Sequence, residues 1–460
     1  MSLPRTLAAR AWPDYRTVWR WHFYAGLFCI PFVLWLATTG SIYLFKPQIE
    51  AWLDRPYDHL VIQGPRASPQ AIAAAALAAV PGSRLNAYEL PPSPQAAVRV
   101  LVGHDMQLTR VYVHPHTLAI LHTVDEDARV MNLLQHLHGE LLLGDRGSML
   151  VELAASWAIV MLLSGLYLWW PRAGSGLAGV VYPRLREGSR RFWRDLHGVT
   201  GFWVSFFALF LLFSGLPWAK SWGSLLKEVR SVGSLVAARP DWSTGRSSEL
   251  DARARANAAA PTDEHAGHHG HANTDAPATD LAALDRLLPV VQALALAPPV
   301  LIAPPSRADT GWSARSDAQN RPLRTSVQLD AASARVTQRT DFDQRALLDR
   351  VIGIGIAAHE GQLFGWLNQA LGLFTALGLI LMSIAALVLW WRRRQPGELG
   401  APRALPRARY AFALLCIVIV MGVLLPMFGL SLLFVLILER GVLRHRAGAR
   451  RVLGLRSADG

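Results

Sequence analysis

Four histidines stand at the ends of long apolar runs, in two related pairs. His22 opens one such run (WRWHFYAGLFCIPFVLWLATTG) and His197 opens another (RRFWRDLHGVTGFWVSFFALFLLFSG). Gly26 and Gly201 each follow their histidine by four residues, and Thr39-Gly40 matches Ser214-Gly215 at the far end. His138-Gly-Glu-Leu-Leu-Leu-Gly144 is echoed by His359-Glu-Gly-Gln-Leu-Phe-Gly365. Trp169-Trp170 and Trp390-Trp391 then follow at the same 31 and 32 residues. The chain is a tandem duplication of one unit: a histidine-bearing helix, a polar segment, a second histidine-bearing helix. An imidazole is an axial ligand for haem iron, and a helix bundle can offer two facing histidines beside an apolar slot. Two histidine pairs, one toward each membrane face, fit two bis-histidine haems b. His22 pairs with His197 and His138 with His359. With both axial positions filled, electron transfer is the chemistry that remains.

The elements that must hold these histidines are membrane spans. The chain has 460 residues, 52% of them hydrophobic. Charge-free runs at 23–45, 198–219 and 361–391, and a run at 148–170 holding the single acid Glu152, each suffice to cross ~30 Å of hydrocarbon at ~1.5 Å per residue. The fold class expected is a mainly α membrane protein: a four-helix bundle from the duplication, two outer α+β modules, and a C-terminal apolar helical hairpin. The net charge of +13 does not signal nucleic acid. Arginines cluster before span one, between spans two and three, and after span four, which makes that side cytoplasmic by the positive-inside rule. The expected order is N-terminal segment and span one (1–46), module one (47–137), interfacial turn and span two (138–171), basic loop (172–196), span three (197–219), module two (220–358), interfacial turn and span four (359–392), loop (393–409), hairpin (410–440) and basic tail (441–460).

Within module one, Ser68-Pro69 opens a helix to Val80, followed by strands near 85–90, 98–102, 108–113 and 118–123. Module two repeats this order with a helix from Thr279 or Asp280 to about Leu296 and strands at 300–303, 326–329 and 335–339. Each module therefore implies one helix and a small antiparallel sheet. The stretch 240–278 has too little apolar content to bury a core. His265, His268, His269 and His271 within it offer a weak metal site. The two cysteines, Cys29 and Cys416, form no disulfide framework, and no C-x-x-C-H haem attachment motif occurs.

One geometric difficulty is visible. A continuous helix from His138 to Trp170 would measure ~48 Å, longer than the bilayer core. His138–Leu143 is therefore expected as a separate interfacial turn, broken at Gly144–Gly147. His136 is a rival ligand to His138, although its repeat counterpart is Ala357. Glu152, the only ionisable residue within the four spans, is a candidate for proton handling or for a purely structural place. The tryptophans at the span ends form an interfacial belt.

Several motifs resemble the PepSY-associated transmembrane-helix proteins: W-R-x-H-F-Y-x-G-L at 19–27, H-x-x-x-G with the late S-G in span three, Y-L-W-W-P at 167–171, and L-W-W-R-R-R at 389–394. V-Y-V-H-P-H-T-L-A at 111–119 resembles a PepSY module. The resemblance runs to about Leu443. It implies a bacterial inner-membrane, iron-related protein that reduces ferric siderophores in the periplasm with membrane-held haem b. The substrate so implied is a ferric siderophore or other ferric chelate. No nucleotide-binding G-x-G-x-x-G follows a strand, so the electron donor is external, a quinol or a cytoplasmic reductase. The alternative reading is a non-enzymatic PepSY membrane protein that binds a metal chelate or protein partner and regulates iron uptake. A transporter ranks third, because the spans lack central polar residues.

Overall fold

In the computed structural model, the described residues are 14–104, 107–171, 176–233, 279–305, 311–402, 405 and 412–455. The histidine-rich stretch with His265, His268, His269 and His271 lies outside them. The chain divides into two units. One comprises residues 1–44, 137–239 and 369–460, and the other 45–136 and 240–368.

The elements in chain order are α1 (Tyr15–Tyr43), α2 (Lys46–Asp58), α3 (Pro69–Ala79), β1 (Arg84–Glu89), β2 (Val98–His104), β3 (Gln107–Val113), β4 (Ile120–Asp125) and α4 (Val130–Glu140). Then come α5 (Gly144–Trp169), α6 (Ser189–Gly215), α7 (Lys220–Gly233), α8 (Ala283–Ala293), β5 (Val300–Ala303), β6 (Trp312–Ser316), β7 (Thr325–Leu329) and β8 (Val336–Asp341). The last are α9 (Leu347–His359), α10 (Trp366–Arg393), α11 (Phe412–Leu424), α12 (Pro426–Gly441) and α13 (Ala447–Leu453).

Five helices among the described residues are long and apolar enough to cross a membrane: α1, α5, Ser189–Trp218, α10 and Pro426–His445. The fifth differs from the sequence expectation of a hairpin with two arms too short to span. Pro426 starts α12 because it has no N–H to give and its φ suits a first turn. Its predecessor Leu425 stands in extended-side geometry (φ −122°, ψ 83°) and breaks the helix there. α11 and α12 then meet at two glycines. A Cβ on Gly429 would stand 2.5 Å from the Gly422 carbonyl oxygen, so no side chain fits at that crossing. Trp157 of α5 anchors α12 by its indole N–H to Ser431 Oγ (2.9 Å) and by an edge contact with Phe428.

The unit with the sheet is built on one eight-stranded antiparallel sheet of order β4-β3-β2-β1-β5-β6-β7-β8. The sequence suggested two separate small sheets. They are joined by β1 and β5, through Tyr88↔Ile302 and Glu89↔Leu301, extended by Leu90 N–H to the Val300 carbonyl (2.9 Å). Period-two alternation then sorts the faces. Val98, Val100, Val102, Val111, Ile302 and Trp312 pack with Ile72 and Ala76 of α3 and Leu284, Leu287 and Val291 of α8. Each such large side chain, fully buried, contributes roughly 1.5–3 kcal/mol. Ser68 caps α3 as its residue type requires, accepting from Ala71 N–H (3.2 Å).

The opposite face carries Glu89, Arg99 and Arg110, all buried. Arg110 meets Glu89, and binds Glu126 through Nε (2.7 Å) and Nη2 (3.1 Å). Arg129 adds a further bond to Glu126 (3.0 Å). Arg99 reaches Asp58 (2.6 Å) and Asp54 (3.1 Å) of α2. Charges removed from water this far are tolerable only when paired and hydrogen-bonded, as these are.

Candidate functional site

The helical unit brings His22 of α1 and His197 of α6 together. Their ring centres are 6.2 Å apart and their planes cross at 72°. Each ring is turned by a backbone carbonyl on a neighbouring span. His22 Nδ1 lies 3.0 Å from the Met161 carbonyl oxygen, and His197 Nδ1 lies 3.0 Å from that of Met382. A carbonyl can only accept, so Nδ1 carries the proton in both rings and Nε2 of the neutral imidazole keeps its lone pair. Met161 and Met382 are themselves repeat equivalents, both 23 residues beyond the second histidine of their copy (His138 and His359). The symmetry seen in the side chains therefore extends to the main-chain groups that orient them.

One polar atom beside His22 has no counterpart beside His197. Ser164 Oγ is 3.1 Å from His22 Nδ1 and donates to the Met161 carbonyl (2.9 Å). Its counterpart in the second copy is Ala385.

These residues can be tested against a haem directly. His22 and His197 would be the residues to hold a haem iron, each through the Nε2 that its carbonyl-bound Nδ1–H leaves basic. Gly26 and Gly201 lie one turn beyond the histidines. A Cβ at Gly26 would make ordinary contact with Met161 Sδ (3.7 Å), whereas at Gly201 it would crowd Met382 Sδ (3.1 Å). Methionine side chains are unbranched and adjust readily. Gly165 lets the His22 ring pass, since a Cβ would sit 3.0 Å from its Cε1. Two neutral imidazoles on neighbouring spans, each with Nε2 as its basic nitrogen, are of the donor type that haem iron takes.

His138 closes α4 rather than forming an isolated turn. The break lies just beyond it, where Leu141 (φ 52°), Leu142 (φ 57°) and Gly144 (φ 57°) take left-handed backbone, and α5 starts at Gly144. Gly147 is not a breaker. It lies inside α5, where a Cβ would stand 1.6 Å from the Glu140 carbonyl oxygen, so the chain folds back against it. His138 Nδ1 is 2.9 Å from Thr39 Oγ1, whose own proton goes to the Trp35 carbonyl (2.9 Å). Nδ1–H is thus the donor, and Nε2 is again left as the basic nitrogen. Gly40 admits this ring, at 3.2 Å from Cε1 to a would-be Cβ. His136 points elsewhere, with Nε2 4.0 Å from Asp127 Oδ1.

His359 occupies the matching place at the end of α9, followed by left-handed Gly361 (φ 75°) and Gly365 (φ 61°). It belongs to the sheet-bearing unit and His138 to the helical one. Next to it, burial pushes the Glu360 carboxyl above the usual range, against the pull of Arg321, Arg324 and Lys46.

Glu152 is buried and engaged at the start of α7. It accepts from Ser221 N–H (2.8 Å) and Trp222 N–H (3.2 Å), while Ser148 Oγ accepts from Lys220 N–H (3.1 Å). An anion at a helix N-terminus satisfies its orphan donors and its dipole. The geometry is that of a carboxylate capping α7. Cys29 is buried and Cys416 exposed, and neither adjoins the histidines in any bonded contact.

Helices long and apolar enough to cross a membrane define a membrane protein, and two of them bring together His22 and His197, each oriented by a backbone carbonyl. The chain matches the PepSY-associated TM region over residues 19–393 and belongs to that family. Comparison with curated proteins finds no match.

Proposed function

We propose that the chain is an inner-membrane haem b oxidoreductase that delivers electrons to ferric iron, held as a siderophore or another chelate, on the periplasmic side. The observation that carries this reading is the His22–His197 pair, with ring centres 6.2 Å apart and each Nδ1–H tied to a carbonyl. A bis-imidazole haem supplies one-electron transfer and has no open coordination position. The chain's part is to fix ring orientation and basicity. The carbonyls of Met161 and Met382 hold the Nδ1 protons and leave Nε2 as the donor. His138, oriented by Thr39, and His359 are the second pair in this reading. The arginine clustering assigns the polar segments to the periplasm, and the reductant is a quinol or a cytoplasmic protein.

The test is optical. Purified protein from cells supplied with haem should be red, with sharp reduced bands, and pyridine haemochrome should approach two haems per chain. His197→Ala should remove one spectral component and spare the other. Colourless protein would instead support the regulatory reading, in which the modules bind a chelate or partner without electron transfer.

A further inference from the structure

We propose that α4 and α9 are lipid-binding elements, whose apolar faces lie in the headgroup boundary of the bilayer that the spans cross. In α9, Leu347, Val351 and Ile354 are exposed at the spacing of one helical face. The other side is seated in the sheet-bearing unit: Ile352, Ile356 and Ala357 are buried, and Gly353 lies so close to Phe342 that a Cβ would stand 2.8 Å away. In α4, Val130 and Leu133 are exposed while Met131 is buried.

The two faces are the same face. Val351 and Ile354 lie 221 residues after Val130 and Leu133, the interval that also separates His359 from His138. Further exposed apolar residues lie along the chain between each helix and the span that follows, Leu142 and Leu143 before α5, and Phe364, Trp366 and Leu367 at the start of α10. Leu143 and Phe364 are again 221 apart. Only three residues separate α4 from α5, and six separate α9 from α10. Both helices are thus tethered within a short reach of a membrane-crossing element. The left-handed residues between them allow the turn from the membrane plane into the membrane.

An amphipathic helix with one apolar face buried to headgroup depth is a known solution for such a segment, and Trp366 is the residue type that favours this depth. Arg345 precedes the α9 stripe, and Arg350 lies within it beside Asp349. A protein partner would have to match two repeat-related faces and the span entrances together. A bilayer needs no such match, because each face is tied by a short connection to an apolar span of its own.

The test places a single environment-sensitive fluorophore on the full chain in lipid nanodiscs, with Cys29→Ala and Cys416→Ala removing the native thiols. Leu133→Cys, Val351→Cys and Ile354→Cys carry the label, and Gln338→Cys, exposed on β8, is the reference. Lipids with nitroxides high on the acyl chain should quench the first three by about twofold or more, and the reference far less. Deep-chain nitroxides should quench them more weakly than shallow ones. The proposal is overturned if the labels at 133 and 351 remain unquenched and open to aqueous quenchers. It is equally overturned if they are shielded from water without lipid quenching, which would assign the faces to a second copy or another protein.

Discussion

Lowering the pH should loosen the sheet through one carboxylate. Glu126 accepts both a fork from Arg110 and a bond from Arg129. Burial alone would raise its pKa. The Arg110 hydrogen bonds and the Arg110 and Arg129 charges more than reverse that, and hold it at about 2 against a usual 4.5. A depressed carboxyl stabilises the fold fully above its unfolded value, and that contribution is lost as pH falls through the folded one. The window is therefore from about pH 4.5 down to about pH 2. The difference of about 2.5 units, at about 1.4 kcal/mol each, sets a contribution of about 3 kcal/mol. Hydrogen exchange of the β2 and β3 amides, corrected for the intrinsic acid dependence, should lose about two orders of magnitude of protection across that window. Glu126→Gln should lower protection at neutral pH by a similar factor and flatten the acid dependence. Wild-type protection that is level from pH 4.5 to 2, or a Gln variant indistinguishable from wild type at neutral pH, would refute the pairing as the source of stability.

Glu152→Ala should free the first turn of α7, raising exchange in Lys220–Gly233 by the equivalent of about 1.5–3 kcal/mol of charge-assisted hydrogen bonding, with the absorption spectrum of the loaded protein unchanged. Gly378→Leu should disrupt the α6–α10 contact, because even a Cβ there would lie 2.4 Å from Val204 Cγ1; thermal inactivation in detergent should come several degrees earlier, whereas Gly139→Ala, which meets nothing within 4 Å, should leave it unmoved. In vesicles of known orientation with chemically reduced haem, an impermeant ferric chelate should cause reoxidation only at the face bearing the long polar segments; equal reoxidation from both faces would reject the assigned direction.

The spans and the meeting of His22 with His197 were readable because both repeat, and a repeat is a property of side-chain identities. What orients the rings was not readable. The carbonyls of Met161 and Met382 are main-chain groups that any residue could supply, and only helix packing selects them. The union of the two sheets was also hidden. Tyr88↔Ile302 and Glu89↔Leu301 join segments over two hundred residues apart, and alternation reports which way a strand faces, never which strand lies beside it. Strand β6 escaped notice because Trp-Ser-Ala-Arg-Ser holds too few apolar residues for a clear period. Helix α2 escaped because it is polar and carries Pro47 and Pro56, although Pro47 stands in its first turn. The break after His138 was placed slightly too late, at glycines, because the residues that turn the chain are Leu141 and Leu142, in a backbone region leucine seldom enters.

The strand order β4-β3-β2-β1-β5-β6-β7-β8 reads the same from either edge once β5–β8 are matched with β1–β4. Its midpoint is an antiparallel pair, the one arrangement that a two-fold rotation maps onto itself. A single-copy chain folding in this way would present β1 as an open edge, and the partner best suited to that edge is the β1 of an identical chain. The covalent sequence therefore encloses a contact with the symmetry of a dimer seam, fixed at one-to-one stoichiometry. The gene should accordingly tolerate division in the segment between α5 and α6. The two halves, produced as separate polypeptides, should find each other through that central seam and co-purify.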